Sequence, residues 1–184
     1  ELTNMNDNTA LNESFALTVE REGARRWLEL NGDARQHATF ERVYRARTDF
    51  IALVQKYRTR LDALYRLGQP PEAMRAGKRA ILDEMDAEYR VLKTAWGGYT
   101  GYDRWFAKKP INAHIASVSV YTQLVPAFEA MRAQSGGVLA VFYRRVRELA
   151  AQPAPQGAEA LAALMPAPAP AFRREAELTT DKHR

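Results

Sequence analysis

Apolar positions recur at steps of three and four over most of the first 150 residues, the period of helices that each bury one stripe. The clearest series is Phe40, Val43, Tyr44, Phe50, Ile51, Val54, Tyr57, Leu61, Leu64 and Tyr65. It predicts a long amphipathic helix that starts after Asp33 and stops at Leu67-Gly68. Pro70-Pro71 bars continuation and opens the next helix, predicted over 72–95 with Met74, Ile81, Met85, Tyr89 and Leu92 along one side. A first helix is predicted over 10–30, capped by Asn8 or Thr9 and closed by Asn31-Gly32. A fourth includes 118–133, with Pro126 at a kink or a fresh start, and a fifth covers 138–151 after Ser135-Gly136-Gly137. Strand-like alternation is nearly absent. The pattern predicts an all-α helical bundle of about five helices.

Two stretches break the period. WGGYTGYDRWFAKKPINAH holds three glycines, five aromatics and a proline, the composition of an ordered aromatic loop, and such loops often carry function. From Pro153 the chain turns to PAPQGAEALAALMPAPAPAF, a flexible Ala/Pro-rich tail with one short helix expected over 158–165. The expected division is a helical body over 1–152 and a low-complexity tail over 153–184.

Composition narrows the classes. Apolar residues make up 46% and aromatics 10% of the 184, enough for a packed core. No transmembrane segment is expected, because no run approaches the roughly 18 apolar residues that one needs. No charged-then-apolar leader opens the chain, so any targeting signal is expected outside it. The net charge of +5 comes from arginines interleaved with acids and aromatics, which reads as solvated helix faces rather than a one-sided basic patch. No nucleic acid partner is therefore expected; a non-catalytic basic helical module for an acidic partner or nucleic acid stands as the alternative. The absence of cysteine excludes disulfides, thiolate metal sites and a cysteine nucleophile.

Candidate chemistry centres on TALNESFALTVE, residues 9–20. At about 100° per residue, Glu13, Ala16, Leu17, Glu20, Ala24 and Trp27 share one arc. This arc, apolar and small, is expected to be the packed one, while Arg21, Glu22, Arg25 and Arg26 are expected to face water. Two desolvated acids need cations or donors to answer them. Structural ion pairs and a metal site both satisfy that, and spacing does not choose between them.

The particular residues add to this. LNESFALTVE resembles the third-ligand helix of gluzincin zinc peptidases, in which a helix bearing HExxH comes first. NESFALTVEREGARRWL, WGGYTGYDRWF, YTQLVPAFEAM and FYRRVRELAAQP are similar, in order, to blocks of a bacterial aminopeptidase family assigned mainly by sequence. The resemblance implies that Glu13 binds Zn2+, with Asn12 and Glu20 as supporting residues. It implies a zinc-activated water that attacks N-terminal peptide bonds of a peptide substrate. A tyrosine then stabilises the oxyanion, and Tyr121 and Tyr102 are the candidates. Asp103 and Glu129 are candidates for reading the substrate's free ammonium, and Asn112 for its backbone. The family also implies export to the bacterial envelope, with lipid attachment upstream.

One motif of that family is missing: these 184 residues contain no HExxH. His37, His114 and His183 stand alone in sequence. The chain is therefore expected to be the C-terminal portion of such a peptidase, inactive by itself and completed by an upstream HExxH-bearing segment; a homologue that has lost the site is the alternative, and the retained LNESFA favours the first. His37 is expected to be exposed and His114 to pack beside the aromatic loop. Trp27, Trp96 and Trp105 are expected as core anchors.

Overall fold

The structure, a computed structural model, describes residues 9–165. Eight helices form among them: α1 Thr9–Asn31, α2 Ala34–Arg66, α3 Pro71–Ala95, α4 Asp103–Ala107, α5 Asn112–Thr122, α6 Val125–Gln134, α7 Leu139–Ala150 and α8 Ala154–Ala162. The all-α bundle is as the periodicity predicts. Asp33 caps α2 by accepting from Gln36 N at 2.8 Å, and Gln36 returns an oxygen to Asp33 N at 2.8 Å, a capping box.

The predicted fourth helix divides in two. Pro126 lies in the first turn of α6, where its missing N–H costs nothing. The chain breaks after Thr122, so that α5 and α6 run as separate rods. The aromatic loop contributes α4 and ends at Ile111.

Two hydrophobic cores organise the bundle. In the first, Ala46, Phe50, Leu53, Val54, Tyr57 and Leu61 of α2 meet Met85 and Tyr89 of α3, closed by Trp96, Phe106 and Ile115. The aromatic segment is folded into this core: Tyr102 stacks on Phe50 with ring centroids 3.9 Å apart, and Phe106 stacks on Tyr89 at 3.9 Å. Gly97 (φ 67°) and Gly98 (φ 80°) make the return possible. Two successive left-handed residues let the Gly98 amide reach back to Lys93 O at 2.9 Å and turn the chain onto the helix it has just left.

The second core gathers Phe128 and Met131 of α6, Phe142, Val146 and Leu149 of α7, and Leu161 of α8, with Leu11, Phe15 and Val19 of α1 against them. Each buried Phe here stabilises the fold by about 2–3 kcal/mol. Leu161 is 1% exposed, so the packed body continues past the boundary expected at residue 152. The short helix expected over 158–165 lies at Ala154–Ala162. The rest of the expected tail, 166–184, and His183 with it, fall outside the described residues.

α1 turns a different side inward from the one expected. Ala10, Ser14, Thr18, Glu22 and Leu28 are its buried residues. Glu13, Ala16, Glu20 and Trp27 are exposed, so Trp27 is no core anchor, whereas Trp96 and Trp105 belong to the first core. The physical reason is the small hydroxyl side chain. Thr18 Oγ1 donates to Ser14 O at 3.0 Å, and Thr122 Oγ1 to Val118 O at 2.6 Å. Bonded to their own helix, such groups bury without penalty and leave room for close approach. Ser14 Oγ donates to Tyr121 O at 3.4 Å, drawing the C-terminal turn of α5 onto α1.

Candidate active site

The acid that α1 buries is Glu22, 2% exposed. Arg25 donates to it through Nε at 2.9 Å and Nη2 at 2.8 Å, Arg26 through Nε at 2.7 Å, and Arg132 of α6 through Nη1 at 3.1 Å. Arg26 also donates to Gly137 O, and Arg132 holds Glu129 at 3.0 Å. The Arg25 hydrogen bonds, against the opposing effect of burial and with help from Arg26 and Arg132, hold the Glu22 carboxyl down to about 2. This charged node ties α1 to α6 and to the α6–α7 turn. It is a structural node, and its α1 members Glu22, Arg25 and Arg26 are residues expected to lie in solvent.

The acids of the LNESFALTVE helix stand on the opposite side. Glu13 is exposed, without the dry surroundings expected of it, and Glu20 is exposed with Arg47 Nη1 at 3.8 Å. Seven residues of helix set them about 10 Å apart along the axis, so a single ion with metal–oxygen bonds of about 2 Å cannot take both. Tyr121 is brought to this helix, its carbonyl against Ser14 and its side chain 43% exposed. Tyr102 is not: it packs in the first core, where burial pushes its hydroxyl up to about 12.

The remaining candidates are spread over the molecule. Asp103 accepts from Lys93 Nζ at 2.7 and 2.9 Å and from the Tyr89 hydroxyl. Glu129 is paired with Arg21 at 3.4 Å as well as with Arg132. Both acids are already answered by cations, which is not the uncompensated carboxylate that a free ammonium calls for. Asn112 exchanges hydrogen bonds with the Tyr65 hydroxyl at 2.9 and 3.0 Å. His37 is half-buried. His114 is exposed and accepts from Ile111 N at 3.3 Å, at the start of α5.

Tyr44 is a residue that sequence reasoning did not single out. Its hydroxyl is buried and has no hydrogen-bond partner among the described residues. It faces a cavity of about 40 Å³ lined by Leu17, Arg21, Arg47, Thr48, Val125 and Glu129, among others, polar enough and large enough for one water. Arg21 lies 5.0 Å over its ring. Only the Tyr-x-x-Arg pairing with Arg47 hinted at it, and that is too common a pattern to notice.

Among the described residues no group of three or more His, Cys, Asp or Glu can hold a metal. The residues present therefore do not fit a complete zinc site; Glu13 offers one carboxylate. Glu13 and Glu20 stand on an open face of α1, with no third acid or histidine beside them that could complete a metal site among the described residues. The chain belongs to the Putative aminopeptidase family, whose sequence model matches residues 2–161. No curated protein and no solved structure matches it.

Proposed function

We propose that this chain is the C-terminal helical portion of a zinc-dependent aminopeptidase, in which Glu13 gives one metal ligand and Asn12 and Glu20 support it. The two histidine ligands come, in this reading, from an HExxH-bearing helix outside these 184 residues. The observation that carries it is the open face of α1. Glu13, Ala16, Glu20, Gly23, Trp27 and Leu30 recur at steps of three and four, and all are exposed, with Trp27 at 57% and Leu30 at 84%. That is the spacing of a seam made to receive another helix. Small residues at 16 and 23 admit close approach, and the two acids are presented to whatever lies on it.

Family membership supports peptide-bond hydrolysis at a substrate's N-terminus. Residence in the bacterial envelope rests on the likeness alone and is part of the same proposal. The isolated chain is expected to hydrolyse no aminoacyl substrate and to bind zinc weakly. Joining it to an HExxH-bearing helix should raise bound zinc to about one per chain, read by elemental analysis. If the joined protein binds no more zinc than the isolated chain, the reading is wrong.

A further inference from the structure

We infer that the groove between α3 and α4 is a second binding site, one that takes the C-terminal end of a short peptide with an apolar last residue. The groove encloses about 720 Å³, within the size range of small-molecule sites. Its floor is apolar: Leu82, Met85 and the stacked pair Tyr89 and Phe106. Its rim is charged, and the charges are unequally satisfied. Asp86 is paired with Arg90 at 2.8 Å, and Asp103 with Lys93 at 2.7 Å. Arg79 and Lys109, which line the same groove, have no ion-pair partner among the described residues. The unanswered cations are what a carboxylate above an apolar floor would meet.

One feature favours a peptide end over a simple fatty acid. Asp83 lines the rim one helical turn from Arg79 and makes no ion pair among the described residues. It offers acceptor oxygens to peptide N–H groups, which an aliphatic acid lacks. Lys109 is the one described residue other than glycine with a left-handed backbone, φ 50°, a conformation that costs a side-chain-bearing residue free energy and often accompanies function. It is held by its own amide on Phe106 O at 2.9 Å, which fixes the lysine at the mouth of the groove.

The inference does not depend on the aminopeptidase reading, and its test uses neither metal nor turnover. The 15N-labelled chain is titrated with N-acetyl-leucyl-leucine and, separately, with the same peptide as its C-terminal amide. The free acid should give saturable shifts at the amides of Tyr89, Phe106 and Lys109, and the amide form should bind roughly tenfold more weakly, the effect of one lost charge-assisted hydrogen-bonding partner. The double variant Arg79→Gln, Lys109→Gln alters two exposed side chains and should weaken the acid to the level of the amide while leaving the rest of the spectrum in place. Octanoate, as the fatty acid arm, should bind no better than the amide. Equal binding of acid and amide, tighter binding of octanoate, or absence of saturable shifts at those three amides overturns the inference.

Discussion

Glu22 is a carboxylate kept charged where little water reaches it, and it stays charged because three guanidiniums converge on it. Taking one partner out of such a group leaves the others uncompensated. Glu22→Gln is therefore expected to destabilise the chain by about 2–4 kcal/mol in urea unfolding at pH 7. The pH dependence has a definite sign. The folded-state value is depressed from 4.5 to about 2, so the stabilisation is complete above 4.5 and is lost as pH falls toward 2. Wild type and variant should converge in stability over that window; a gap that stays constant down to pH 2 contradicts the network. At this scale the sequence was misleading. Ser14, Thr18 and Glu22 read as polar, yet they are buried, because the Thr18 hydroxyl bonds its own helix, the Ser14 hydroxyl bonds Tyr121 O of α5, and the acid is met by arginines three and four residues on and by one more 110 residues away. That last partner has no local signal.

α1 shows what an element carries beyond its residues. Its buried face is small and polar and its open face bears the acids and Trp27, an inversion that helical periodicity alone does not resolve when both faces hold small side chains. Gly23 sits mid-helix on the open face, and a Cβ added there meets nothing within 4 Å. Gly23→Ala should therefore stabilise the isolated chain by about 0.5–1 kcal/mol in thermal unfolding, since the chain itself supplies no reason for a glycine. A destabilised variant would mean that the helix is covered in the isolated chain. Helices with strong stripes and stop signals, α2 and α3 above all, were legible nearly to the residue, because Asp33, Leu67-Gly68 and Pro70-Pro71 act through local backbone chemistry. Pro126 marked the start of α6 as one of two readings; the packing of α8 was not legible, since Ala-rich segments look alike whether or not a core receives them. Leu161→Ala is expected to cost about 2–5 kcal/mol, and a loss below 1 kcal/mol in chemical unfolding would return α8 to the tail.

Across the described residues the two cores set a body on which many opposite charges pair with one another. Arg60 meets Glu84, Lys56 meets Glu88, and the arginines of α1 meet Glu22 and Glu129. The net charge of +5 is thus spread rather than gathered, and no described helix is long and apolar enough to cross a membrane. The chain should not retard a DNA duplex at either low or moderate salt, and a steep loss of binding between the two would favour the basic-module alternative. Family, fold class and the acid-bearing helix were all readable from the sequence. The charged node and the groove were not, because they depend on which helices meet. The central claim concerns the open face of α1, and zinc stoichiometry tests it most directly. In the protein joined to an HExxH-bearing helix, Glu13→Ala should reduce bound zinc from about one per chain to nearly none, while Glu22→Gln, once folded, should leave it in place. Zinc content unchanged by Glu13→Ala would contradict the account.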